Sequence, residues 1–286
     1  MPSLIDIRRR IRSVKNTQQI TKAMKMGSAA KLRRAQDRVV AARPYGAMLR
    51  KMLGNVAAAV ASDENTGRNP LLAQRPEQRI LLVLVTSDKG LAGAFNTNLT
   101  KAAQRFIAEH SGSTVSMVLI GRKGRDFFRK RGAQVVSEHL NMAARIVYAD
   151  VAAIAGKAME LYRNEEIDAV YLIYNEFKSV ATQNLVTSRV LPIQMPEQTN
   201  PVDYIFEQSP MEMLDALLPR YVETEFYRAL AESTAAEHAA RMTAMEAATS
   251  NAGDMIEKLT LYMNRVRQAS ITKEIIEVVS GAAAAE

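Results

Sequence analysis

Apolar and small residues recur through the first sixty positions in a three-four alternation. The stripe reads Leu4, Ile7, Ile11, Val14, then a polar set of Gln18, Thr21, Lys25 and Ser28. It resumes with Leu32, Ala35, Val39, Ala42, Gly46, Leu49, Leu53, Val56 and Val60. A register kept for about eight heptads predicts a coiled-coil or long-hairpin helix rather than a helix of a globular core. In the polar middle, the apolar residues Ile20, Ala23 and Met24 move to a neighbouring face. Pro44 predicts a bend or break after Ala42, because proline lacks the amide proton and crowds the preceding turn. As a straight helix, sixty residues would reach about 90 Å.

The texture then changes. Ser62–Arg79 is polar, carries Gly67, Pro70 and Pro76, and predicts a linker loop. Ile80–Thr86 has the continuous apolar character of a buried strand. A helix is expected from about Asn96 to His110, a strand at Thr114–Ile120 and a short helix near Lys123–Arg131. A weak strand start follows at Val135–Val136, then a helix at Val151–Tyr162 and a strand at Ala169–Tyr174. Leu185–Leu191 alternates like an edge strand. Strands alternating with helices predict an open, mostly parallel α/β sheet. After Pro201 and Pro210, apolar spacing resumes at Met213, Leu217 and Tyr221. It becomes irregular through an alanine-rich section, then returns at Ala252, Met255, Leu259, Tyr262, Val266, Ala269 and Ile276. Glu212 and Asp215 suit a helix start, Pro219 predicts perturbed first turns, and Gly281 is the expected stop. The fold class is therefore α plus α/β. Two long terminal helices (1–60 and 210–286) flank an inserted sheet domain (61–209).

Charge sharpens this picture. The first 60 residues hold 14 Lys or Arg and two acids, Asp6 and Asp37, whereas residues 210–286 hold 7 basic and 12 acidic residues. Two long helices of opposite charge at the two ends of a chain suggest partners wound together. The 286-residue chain has no Cys, which excludes thiol catalysis, disulfides and cysteine metal sites. Its three His, at 110, 139 and 238, have no helical metal-ligand spacing and read as surface or packed residues. The aliphatic run Ile80–Val85 is too short to span a bilayer, which takes about 20 residues. No secretory signal is recognisable, and the chain reads as mature from residue 1.

The turn Ser87-Asp88-Lys89-Gly90-Leu91-Ala92-Gly93 follows a strand and precedes a helix, as phosphate loops do. It lacks both nucleotide-binding glycine orders, so a tight turn or a protein contact surface is the preferred reading. The Gly121–Gly124 turn carries a weaker signal of the same kind. No catalytic Ser–His–Asp set or carboxylate pair is recognisable by spacing. The basic first helix raises nucleic acid or an anionic surface as an alternative partner. Its cations spread around the helix, however, and its first 44 residues contain no aromatic platform.

Three separated motifs, in order, resemble one family. IRRRIRSVKNTQQITKAMKM (Ile7–Met26), continued by KLRRAQDRVVAARPY (Lys31–Tyr45), resembles the opening helix of the gamma subunit of the F-type ATP synthase. TSDKGLAGAFNTNL (Thr86–Leu99) resembles the start of its Rossmann-like domain. RQASITKEIIEVVSGAAA (Arg267–Ala284) resembles its C-terminal signature. The resemblance implies that the terminal helices form an antiparallel coiled coil with an inserted Rossmann-like domain as its foot. It implies a non-catalytic rotor shaft without cofactor, standing in a hexamer of alpha and beta subunits, with a foot that binds the epsilon subunit and the c-ring. It implies a peripheral protein at the cytoplasmic face of a bacterial inner membrane, associated with the membrane only through its partners. Met24 and Lys25 would meet the beta subunit, with Arg267, Gln268, Thr272 and Glu274 as the matching region of the other helix. For Met24, seam packing stays open as the alternative. Asp88, Lys89 and Asn96 would face epsilon or the c-ring. The chloroplast-type insertion could lie only in the short stretch Met195–Ser209, and the absence of Cys excludes thiol control.

Overall fold

A computed structural model describes residues 3–59, 69–195 and 208–283; the side chains of 281–283 lie outside that description. In chain order the elements are α1 (Leu4–Ala59), β1 (Arg79–Val85), α2 (Phe95–Glu109), β2 (Thr114–Ile120) and α3 (Arg122–Arg129). There follow β3 (Gln134–His139), a 3-10 turn (Met142–Ala144), α4 (Tyr148–Arg163), β4 (Ala169–Phe177), β5 (Gln183–Leu191) and α5 (Pro210–Ala283). The chain forms two compact units, Met1–Ser28 with Arg241–Glu286, and Ala29–Ala240.

In the larger unit the sheet order is β3-β2-β1-β4-β5. β1 pairs in parallel with β2 and β4, β2 in parallel with β3, and β5 runs antiparallel to β4. β1 is central, and its residues Ile80–Val85 are all buried, which explains their unbroken apolar run. The edge strands β3 and β5 instead alternate in exposure over most of their length. The weak Val135–Val136 signal is thus a full edge strand, hard to read because none of its residues is fully buried and Val135 is its one half-buried apolar residue. At the start of β1, Asp168 is buried and accepts from the Arg79 guanidinium at 2.8 Å and from the Arg79 N–H at 2.9 Å. These partners, with the Arg79 side chain foremost, hold its carboxyl below the usual range.

The loop before β1 is better anchored than its polar composition suggests. Leu71 is fully buried, and its carbonyl accepts from Ile193 N at 3.0 Å. The Arg75 guanidinium lies 4.6 Å from the Tyr162 ring centre and donates to the Tyr162 carbonyl. Val60, the last member of the expected stripe, residues 62–68 of the expected linker and 196–207 of the expected insertion stretch lie outside the described residues, as does residue 61.

In the larger unit, α1 buries Leu32, Ala35, Val39, Leu49, Leu53 and Val56, all members of the predicted stripe. Two corrections concern proline. α1 runs without interruption through Pro44, and α5 starts at Pro210 and continues through Pro219. Side-chain ties around Pro44 hold the helix where propensity alone would break it. Arg43 Nη2 donates to Glu232 Oε1 on α5 at 3.1 Å and to the Phe177 carbonyl at the end of β4, also at 3.1 Å. Glu232, 3% exposed, accepts the Phe177 N–H at 3.0 Å through its other oxygen. Two turns further along, Arg50 pairs with Glu225 at 3.1 Å. Partners 43↔232 and 50↔225 run in opposite directions, so the two helices are antiparallel here.

The smaller unit repeats that sense: Gln18 donates to the Thr249 carbonyl at 3.4 Å, and Lys25 meets Glu246 at 2.6 Å. The polar middle of the stripe is polar because it faces polar positions of α5. The Thr21 hydroxyl, for example, lies 2.8 Å from that of Thr249. The expected stop at Gly281 is corrected as well, since the helix continues to Ala283. One glycine alone does not end a helix when small helix-tolerant residues follow it.

Candidate coupling and docking sites

Met24 and Lys25 are half-buried along the α1–α5 seam of the smaller unit. The Lys25 ammonium is held by Glu246, and Met24 lies one residue off the stripe. Arg267, Gln268, Thr272 and Glu274 are all exposed on α5. The Thr272 hydroxyl donates back to the Gln268 carbonyl at 2.9 Å, Ser270 donates to Glu274 at 3.2 Å, and Lys273 pairs with Glu277 at 3.4 Å. The structure does not bring the two groups together. Arg267 stands 21 residues beyond Glu246 on one helix, about 30 Å at 1.5 Å per residue. Because Lys25 stands opposite Glu246 in antiparallel register, Arg267 is level with the start of α1 and Thr272–Glu274 lie past it. There no helix of the described residues stands beside α5, and residues 271–280 are exposed throughout. Its apolar side chains Ile271, Ile275, Ile276, Val278 and Val279 face outward, Val278 at 72% exposure.

The second group sits on the turn after β1. In an open α/β sheet, this point, where strand order reverses, is where ligands usually bind. Here the turn is tied to the start of α3, the helix that follows β2. The first three amides of α3 are taken: Arg122 N donates to Asp88 Oδ1 at 3.1 Å, Lys123 N to the Ser87 carbonyl at 3.0 Å and Gly124 N to Thr86 Oγ1 at 2.9 Å. Ser87 N donates to Asn96 Oδ1 at 3.0 Å, and the Ser87 hydroxyl to the Lys89 carbonyl at 2.6 Å. Gly121 (φ +95°) and Gly124 permit this closure. A Cβ on Gly121 would sit 2.2 Å from the Thr86 carbonyl oxygen, and one on Gly124 would sit 2.8 Å from Thr86 Oγ1. Asp88 and Asn96 therefore shape the turn, and the Lys89 side chain is outermost of the three.

Sequence reasoning missed the Arg43–Glu232–Phe177 junction, because nothing in spacing ties residue 43 to residue 232. It also missed Leu91, exposed at the tip of the turn with φ +62°. The signal available for Leu91 was a large apolar residue set between glycines. The histidines behave as packed residues where their contacts are described: His110 stacks on Phe106 at 4.1 Å, and His139 is half-buried beside Ser137. Burial pushes the His139 imidazole below its ordinary value. Among the described residues, no cluster of His or acids suits a metal, and no helix is long and apolar enough to cross a membrane.

A family profile described as ATP synthase matches residues 3–285. The chain is 75% identical to the ATP synthase gamma chain of Solibacter usitatus over the full length of both. The chain belongs to the ATP synthase gamma chain family. Gamma chains are non-catalytic subunits of ATP synthase, with the catalytic sites on the beta subunits, and that holds for this member. The gamma chain of an Anaeromyxobacter species is 50% identical over 99% of both chains. Among solved structures, the chain is similar to a central stalk/c-ring component of Tetrahymena thermophila mitochondrial ATP synthase. That match has TM-score 0.63 and 26% identity, covering 80% of this chain and 99% of the other. A component of the Euglena gracilis mitochondrial ATP synthase matches at TM-score 0.66 and 19% identity, over 98% of this chain and 94% of the other, and shares the fold. The nucleic-acid alternative gains no support from any of these relatives.

Proposed function

We propose that this chain is the central rotor shaft of an F-type ATP synthase. It couples ion flow through the c-ring to nucleotide chemistry on the beta subunits by turning inside an alpha–beta hexamer. One observation carries the reading: α5 presents apolar side chains at 271–279 with no partner helix beside them. Soluble chains rarely leave a large contiguous apolar patch uncovered, and such surface marks contact with another protein. A hexamer enclosing this segment supplies that cover.

The mechanism follows from asymmetry. A shaft with unlike faces presents a different surface to each of three chemically identical beta subunits. It shifts their conformations only by its differential interaction with them. Moving one subunit from about 1:99 to 99:1 takes about 5.5 kcal/mol. Met24 and Lys25 form one contact zone with the beta subunits. Arg267, Gln268, Thr272 and Glu274 form another, about 30 Å away along the same axis. The foot, with Asp88, Lys89 and Asn96 on its turn, faces the epsilon subunit or the c-ring. Functionally the chain divides into shaft helix 1–60, foot 61–209 and shaft helix 210–286. It works at the cytoplasmic face of a bacterial inner membrane as a peripheral subunit, consistent with its bacterial relatives.

Met24→Lys tests the coupling zone. The expected result is an assembled complex with a reduced ratio of ATP formed to ions passed in membrane vesicles. A ratio equal to wild type rejects the assignment. For the foot, Lys89→Cys is expected to cross-link to epsilon or the c-ring, and zero yield to both overturns that placement.

A further inference from the structure

We propose that Leu91 is the anchor with which the turn after β1 docks onto an acidic partner surface containing an apolar socket. The proposal rests on the reading of this turn as a contact of the foot. Leu91 is 63% exposed, so its side chain serves little within the chain. Its backbone lies in the left-handed region, at φ +62°. A side chain with a Cβ is disfavoured there, and glycine or asparagine would fit at lower cost. A bulky apolar residue in strained backbone, with little packing in return, is explained by a contact outside the chain.

The turn beneath it is built to hold still. The Ser87, Asn96 and Asp88 bonds fix its base, and Gly93 and Ala94 beside Leu91 are exposed and small, so a partner can approach closely. A rigid, prepositioned apolar knob loses little freedom on binding, which is what concentrates affinity in one side chain. Cations surround it. Lys89, Arg122 and Lys123 are exposed, and the Lys123 chain runs along the turn, its Cε 3.6 Å from where a Cβ on Gly90 would lie. Against these three cations stands the Asp88 carboxylate, while Asp126 is balanced by the Arg125 guanidinium at 2.7 Å. The rim is thus positive, and its complement is acidic.

The test uses the complete complex on inverted membrane vesicles, with ATPase activity measured in the pellet and in the wash. Leu91→Gly relieves the backbone, so thermal melting of the chain is expected to be unchanged or higher. Attachment is expected to weaken about tenfold, with Leu91→Met close to wild type and Arg122→Gln flattening the salt dependence of release. Leu91→Gly retained like wild type overturns the proposal, as does a lowered melting temperature, which would show an internal role. Loss in Leu91→Met equal to that in Leu91→Gly overturns the apolar socket, and release insensitive to salt overturns the acidic surface. Wild-type complex that washes off in the same buffer overturns instead the rotor reading on which the contact depends.

Discussion

Within α5, none of residues 222–239 is exposed, whereas every one of residues 271–280 is. The first stretch answers to its own chain. Val222, Phe226, Leu230, Ala235 and Ala239 are enclosed, and the buried acids Glu225 and Glu232 meet Arg50 and Arg43. The second stretch keeps isoleucines and valines in the open, with hydrogen bonds only to its own backbone and neighbours. One helix therefore serves two purposes. Where it is enclosed, internal packing accounts for the apolar residues; where it is bare, the chain itself gives the apolar side chains no cover, and the proposed rotor role supplies it.

Substitutions should separate the two stretches by size of effect. Phe226→Ala, at 3% exposure, should cost about 3–5 kcal/mol of stability in a denaturant titration of the full chain. Glu232→Ala should cost somewhat less, about 2–4 kcal/mol, since it strands the buried Phe177 N–H while Arg43 can still reach water. A Glu232→Ala melt like wild type would show that the junction contributes no stability. In the smaller unit, Thr249→Val removes the Thr21 contact and should cost about 1 kcal/mol by the same titration.

Tyr148 offers a pH test. Burial, and secondly the Glu223 carboxylate that its hydroxyl meets at 2.7 Å, pushes its phenol up to about 12. Because the folded value is raised, this stabilisation is complete below the ordinary phenol value of about 10 and is lost as pH rises through about 12. Tyr148→Phe should flatten that alkaline loss and leave the slope of stability against pH near neutrality unchanged, as followed by thermal melts across pH. At the far end of the scale, Ile276→Ala should change chain stability by less than about 0.5 kcal/mol. Coupling in the assembled complex should nonetheless fall, measured as ions pumped per ATP hydrolysed.

The same contrast decides what could be read beforehand. The α1 stripe was legible because only one side of that helix is buried, so period and burial coincide from Ile7 to Val56. The alanine-rich part of α5 looked irregular because a helix enclosed all round has no apolar side to reveal. Pro44 and Pro219 misled because local propensity is outweighed by ties between distant residues, of which Arg43 with Glu232 is one. Central strands were plain from their unbroken apolar runs, and the edge strand at Leu185–Leu191 from its alternation. Asp88 and Asn96 stood out by motif, but their bonds to Arg122 N and Ser87 N emerge only once β1 and α3 are neighbours.

The bonds that join the turn after β1 to α3 have a mechanical side. Thr86, Ser87 and Asp88 accept from the three leading amides of α3, so the turn and the helix after β2 are fastened into one piece. A load applied to that turn passes into the sheet through β1 and β2 together instead of being lost in a loose loop.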